Sequence, residues 1–255
     1  MRWNSKDGLK ELALDLVAQE SISGTRSEGD MARLVYNKLS EVEYYKQNPE
    51  HLSLVPLNDK LDRYAVCALM RGKIESSRTL LTVAHIDTVG IDDAGSLKEY
   101  IFNPYEYTKR LDPDALDEDS RNDLLSGEWL FGRGIMDMKT GLAMQMSLLE
   151  HYSEKEDFEG NLMLLAVPDE ETNSEGAIAA IPFANRVIEK YNLEPIAVLN
   201  CEPDFAAYPG DYNKYIYLGT VGKLLPGFYI VGKETHVGES LSGLNANLIA
   251  GELLS

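Results

Sequence analysis

A chain of 255 residues with 44% hydrophobic side chains is long and apolar enough to bury a sizeable core, in one large domain or in a domain plus part of another. Its net charge of −18 excludes nucleic acid and anionic membrane as expected partners, because their phosphates would be repelled. The two cysteines, Cys67 and Cys201, form no disulfide framework or zinc-finger spacing, the polar start MRWNSKDGLKEL lacks a signal core, and no apolar run reaches membrane-spanning length, so the expected location is the cytoplasm.

Leu9, Leu12 and Leu16 fall at helical spacing and predict an amphipathic helix ending near Gln19. SISGTRSEGD follows as a turn, with capping-box spacing between Ser27 and Asp30. Met31, Leu34, Val35 and Leu39 mark a second helix. NPEHLSLVPLND reads as a loop or irregular strand, Tyr64–Met70 as a strand and Arg71–Arg78 as a turn. Thr79–Ala84 is an apolar run of the kind buried on both faces, and it ends at His85-Ile86-Asp87. Ile91 to Glu128 is a polar excursion without period, read as a surface insertion. Its part Leu111–Glu128 carries seven acids and one arginine, a third of the net charge.

Phe131–Gly141, FGRGIMDMKTG, sets one acid, Asp137, in a glycine-rich turn just ahead of a helix running to about Tyr152. Asn161–Val167 is a second buried strand and ends at Pro168-Asp169-Glu170-Glu171. Asn173 or Ser174 is placed to cap the next helix, to about Tyr191. Ile196–Asn200 reads as a third buried strand, ending at Cys201-Glu202-Pro203. Strands alternating with helices predict an α/β fold, a sheet with helices on both faces. Past Tyr215 the runs become β-rich and glycine-split, and Gly243–Leu254 reads as a helix start. A domain boundary is therefore expected near 215, giving domains 1–215 and 216–255; the last forty residues are too few for an independent core.

Four polar signals follow in order: His85 with Asp87, Asp137, Glu170 with Glu171, and Glu202. Each has a plain alternative as a surface pair, a helix cap, a solvated acidic run or a turn residue. Three of them, however, directly follow buried apolar strands, and the strand ends of one α/β sheet converge on one rim. One imidazole and several carboxylates, without cysteine, suit Zn²⁺ and also Mn²⁺ or Co²⁺.

HIDTV, GRGIMDMKTG, PDEE, the Glu202-Pro203 pair and GKETHVG together resemble the co-catalytic zinc peptidase family of acetylornithine deacetylase, succinyl-diaminopimelate desuccinylase, aminoacylase and bacterial carboxypeptidase G. The N-terminus, the long excursion and the LDP region are most similar to the branch of the arginine utilisation protein RocB. The resemblance implies a three-layer catalytic domain followed by the start of an α+β lid and dimerisation domain. It implies two divalent metal ions, with His85 and Glu202 on one, Glu171 on the other and Asp137 bridging them. Glu170 becomes the general acid/base, Asp87 orients His85, and His236 reaches a partner subunit's site to stabilise an oxyanion. The peptide Asp137–Met138 is expected to be cis.

The implied activity is hydrolysis of an amide or peptide bond in an N-acyl amino acid or small peptide, through a metal-bridging water, in arginine or amino-acid catabolism. Two cations about 3.5–4 Å apart need a shared anion, and adjacent Glu170 and Glu171 divide metal binding from proton transfer. In the family, a histidine after the lid completes the second metal site, and none of the four histidines here fits that role. The chain is then a fragment or a truncated form. The half of the site made by His85, Asp137 and Glu202 is expected to be the better defined, with the Glu171 half open. The alternative function is a catalytically silent binding or dimerisation module.

Overall fold

The computed structural model describes residues 2–204, 208, 210–211, 213–219 and 227–253. The chain divides into two units, Met1–Phe205 and Ala206–Ser255. In the first, Leu12 and Leu16 lie one helical turn apart and fix the buried face of α1 (Lys6–Ala18). Ser5 caps it, its hydroxyl accepting the Gly8 amide at 3.0 Å. Helix α2 (Ser27–Ser40) buries Met31, Val35 and Leu39. The expected capping box does not form, because Ser27 already lies inside the helix and its hydroxyl turns back to accept the Ile22 amide at 3.1 Å.

Short α3 (Glu43–Gln47) leads into three strands, β1 (Leu52–Pro56), β2 (Tyr64–Arg71) and β3 (Ile74–His85). The excursion after β3 is exposed as expected, but it is not structureless. It holds a 3-10 stretch at Asp92–Tyr100, then α4 (Pro104–Arg110) and α5 (Glu118–Ser126). Asn103 and Asp117 cap the two helices by accepting the amides of Glu106 and Ser120. Helix α6 (Thr140–Ser153), β4 (Glu159–Val167), α7 (Glu175–Tyr191) and β5 (Glu194–Asn200) complete the unit. Ser174 occupies the N-cap position of α7 but its side chain makes no capping bond.

The five strands form one mixed sheet in the order β1-β2-β4-β3-β5. β1, β2 and β4 run antiparallel in succession, while β4, β3 and β5 are parallel. Alternate residues of β2 and β4 point to opposite faces and feed two cores. Val66, Ala68, Met70, Leu162, Leu164 and Ala166 meet the buried sides of α1, α2 and α6. Ala65, Cys67, Leu69, Met163, Leu165 and Val167 meet α7 through Ala180 and Ala184. Helices therefore cover both faces, the three-layer α/β arrangement expected.

Two strand expectations change. β3 starts at Ile74 rather than Thr79, pairing with Glu159 before a register shift that its polar residues accommodate. β5 is not a buried strand: it is the sheet edge, pairing only with β3 among the described strands, and its residues are exposed on both faces, Val198 at 66%.

In the second unit, Lys233 and Leu244 form an isolated antiparallel bridge, followed by helix α8 (Ala246–Leu253). The β-rich runs expected past Tyr215 form no strand among the described residues, and residues 220–226 of that stretch lie outside them. No helix among the described residues is long and apolar enough to cross a membrane.

Glu28, in the first turn of α2, is fully buried. Burial, with the charge of Asp87, pushes its carboxyl up to about 7 against the pull of Arg63 and the Gly24 amide. A carboxyl raised on folding is neutral at no cost below its ordinary value of 4.5 and is charged at a cost above about 7, so its contribution to stability falls across that window. Glu28→Gln should therefore gain about 2 kcal/mol relative to wild type between pH 5 and pH 8. Urea melts across that range check this; parallel pH profiles for the two proteins would contradict it.

Candidate metal centre

Parallel pairing places the carboxyl ends of three strands on one rim. His85 closes β3 opposite Val167 of β4, so the turn Pro168–Glu171 leaves the sheet beside it. β5 runs parallel on the other side of β3, and Glu202 follows its end. Asp137 comes from the irregular segment Ile135–Lys139 ahead of α6, after Gly134 at φ +71. The Asp137–Met138 peptide is cis, as the resemblance implied. Asp137 does not cap α6, whose N-cap is Lys139.

Gly141 brings β5's exit and α6 together. A Cβ there would lie 2.3 Å from the Cys201 carbonyl oxygen, so only glycine lets the chain just before Glu202 pass the first turn of α6. Gly141→Ala should destabilise the protein by about 1–3 kcal/mol and move Glu202 outward. Denaturant melts read this, and an unchanged midpoint would contradict the close packing.

His85 Nε2 lies 2.8 Å from Asp137 Oδ1 and 3.7 Å from Glu202 Oε2. Its Nδ1 lies 3.0 Å from the Asp87 carbonyl oxygen and 3.5 Å from Asp87 Oδ1. Protons on both ring nitrogens are donated to these oxygens, and a cation taking the place of the Nε2 proton would leave Nδ1 held by Asp87. One ligand atom each from His85, Asp137 and Glu171 lie mutually within 4.8 Å. Burial disfavours a charged ring at His85, but Asp87, Asp137 and Glu202 outweigh it and push the imidazole up to about 10. Burial and the nearby Asp137 raise the carboxyls of Glu171 and Glu202, against His85. Anions gathered this closely call for a cation between them, and a nitrogen-plus-carboxylate donor set fits a divalent metal.

Glu171 thus joins His85 and Asp137, and Glu202 stands 3.7 Å from the same imidazole. Asp87 holds the Glu171 side of the group. Its carboxylate is fully buried, and Oδ1 and Oδ2 accept the amides of Glu170 and Glu171, each at 3.2 Å. The acidic turn is thereby tied to the end of β3, whereas Glu202 follows an exposed edge strand. The Glu170 side chain itself is exposed beside this group. His236 belongs to the second unit, exposed, its Nδ1 accepting the Gly238 amide at 3.1 Å.

Two supporting residues had no reading in the sequence. Ser23 donates its hydroxyl to Asp87 Oδ2 at 2.6 Å, from a stretch legible only as a turn. Lys139 is completely buried, and its ammonium donates to the Gln19 carbonyl at 2.6 Å, tying the Asp137 segment to the end of α1. Burial draws that ammonium down to about 7, against Asp87 and Glu20. The signal for both was position alone, a hydroxyl in the turn before α2 and a lysine two residues past the acid.

A sheet whose parallel strand ends collect an imidazole and several carboxylates defines the layout of a metallohydrolase. Residues 81–212 match Peptidase family M20/M25/M40, and the chain belongs to that family. The chain is 42% identical over 255 residues to the uncharacterized protein YqjN of Bacillus subtilis (strain 168), covering 99% of this chain and 46% of that one. It is 38% identical over 255 residues to protein RocB of the same organism, covering 99% of this chain and 45% of that one. The chain thus spans about half the length of the curated relatives it matches. Human carnosine dipeptidase 1 shares the fold, at a TM-score of 0.53 and 15% identity over 78% of this chain and 39% of that one.

Proposed function

We propose that this chain supplies the metal-binding half of a hydrolase that cleaves an amide or peptide bond of an N-acyl amino acid or small peptide. The observation that carries this reading is the group formed by His85, Asp137 and Glu171, with Glu202 alongside. His85 Nε2, Asp137, Glu171 and Glu202 would hold two divalent ions, Zn²⁺ by the donor set, with Asp137 between them. Bound there, the metal supplies an activated water and polarises the scissile carbonyl.

The remaining roles fall to side chains. Asp87 fixes the orientation of His85 and the backbone of the acidic turn. Glu170, whose amide is held while its side chain stays exposed, accepts a proton from the attacking water and returns it to the departing amine. Adjacent Glu171 is committed to the metal, so the two carboxylates do not compete.

Similarity to RocB supports a role in arginine or amino-acid catabolism. The net charge of −18 argues against nucleic acid and anionic membrane as partners, and the reading keeps a small-molecule substrate and a place in the cytoplasm. Residues 216–255 are assigned to the beginning of a lid through which the protein dimerises, with His236 stabilising the oxyanion across that dimer. The test is hydrolysis by the full-length protein of N-acyl amino acids and dipeptides, with and without a chelator. Chelator-sensitive release of free amino acid is the expected result, and turnover unaffected by chelation would overturn the assignment.

A further inference from the structure

Arg63 lies just before β2 with four carboxylates around its guanidinium. Nε donates to Asp59 Oδ2 at 2.5 Å. Nη1 donates to Glu28 Oε2 at 3.3 Å and to Asp169 Oδ1 at 3.0 Å, and Nη2 donates to Glu175. Arg63, Glu28 and Asp169 are 4%, 0% and 2% exposed, so the cluster has a buried centre, with Asp59 and the half-exposed Glu175 at its rim.

Asp169 is where the cluster meets the proposed centre. It is the acid immediately before Glu170 and Glu171, and its backbone sits at φ +70. Its Oδ1 accepts the Thr172 hydroxyl at 2.5 Å, and its Oδ2 accepts the Glu175 amide at 3.1 Å. Its carbonyl accepts the Ser174 amide at 2.6 Å. Asp169 thus organises the whole turn from Pro168 to α7, and Arg63 holds Asp169 from beneath.

The other side of the turn is held from the same place in the chain. Glu28 accepts the Gly24 amide at 2.9 Å, beside Ser23, which grips Asp87, which in turn grips the amides of Glu170 and Glu171. The turn is clamped between two carboxylates, Asp87 on its amides and Asp169 at its root. A planar guanidinium with five fixed donors can serve four acids in different directions, whereas an ammonium cannot.

We infer that Arg63 is a positioning residue that sets the carboxylates of Glu170 and Glu171 relative to His85 and Asp137 by holding Asp169. Its consequence for metal affinity rests on the proposed metal centre; its hold on the turn does not.

The experiment compares full-length wild type, Arg63→Lys and a core control, Leu16→Ala, at a temperature where all are folded. Amide hydrogen exchange is read over residues 168–176 and over β4, and Zn²⁺ affinity is read by competition with a chromophoric chelator. Arg63→Lys should speed exchange of the Glu170 and Glu171 amides and weaken Zn²⁺ binding, each about tenfold, with β4 unchanged. Leu16→Ala should change neither locally. Exchange at 168–176 that is unchanged, or that rises in step with β4, would overturn the inference. Wild type that binds no Zn²⁺ would refute the metal centre while the exchange comparison still decided the role of Arg63. If Arg63→Lys does not fold, Asp169→Asn weakens the same contact from the opposite side and carries the same expectation.

Discussion

Glu170→Gln lowers hydrolysis by the full-length protein about 10²–10⁴-fold and leaves its metal content unchanged. The two halves of that expectation come from different atoms. The Glu170 amide is anchored to Asp87 Oδ1, so the backbone keeps its place when the side chain changes. The group of mutually close ligand atoms contains Glu171 and not Glu170, so a glutamine at 170 removes no ligand. What it does remove is a carboxylate able to take up a proton from water and deliver it to the leaving amine. The measurement is kcat on an N-acyl amino acid or dipeptide substrate beside metal content by elemental analysis. Undiminished turnover would remove Glu170 from the mechanism, and loss of metal would make it a ligand instead.

Asp87→Ala has the larger structural effect. The side chain is fully buried and serves His85, the Ser23 hydroxyl and two backbone amides at once. Truncation leaves the Glu170 and Glu171 amides without their acceptor, while His85 Nδ1 keeps the Asp87 carbonyl and the Ser23 hydroxyl keeps the Thr88 carbonyl; each buried donor left unpaired costs about 1–3 kcal/mol. It also frees the acidic turn, and loss of such a supporting partner weakens metal binding about 10–100-fold. Thermal melts with and without Zn²⁺ read both effects. A variant with wild-type stability and wild-type Zn²⁺ affinity would show that Asp87 organises neither.

The parts of this molecule that were legible in its sequence are those in which burial and position coincide. TLLTVA and NLMLLAV are apolar because both faces of β3 and β4 are packed, and the polar residues that end them fall on one rim because those strands are parallel. His85 and Glu171 were readable for that reason. Asp137 was readable through its glycine-rich setting, once the family resemblance supplied its partners. The helices inside 91–128 were not, because an apolar period arises only where a helix buries a face, and α5 buries none of its residues. Their signals were the capping residues Asn103 and Asp117.

β5 misled in the opposite direction. Its residues are as apolar as those of β4, yet Ile196 and Val198 are exposed at the sheet edge, and composition records what a strand is suited to face rather than what covers it. Arg63 was silent because an arginine before a strand is ordinary in sequence. Its four acids come from positions 28, 59, 169 and 175, and only the folded sheet brings them together.

The most direct test of the metal centre is a crystal structure of the full-length protein grown with Zn²⁺, with anomalous scattering recorded at the zinc edge. An anomalous peak is expected about 2.0–2.2 Å from His85 Nε2 and from carboxylate oxygens of Asp137 and Glu171 or Glu202. A fully occupied zinc bound elsewhere, with His85 and Asp137 still in direct contact and no peak between them, would contradict it.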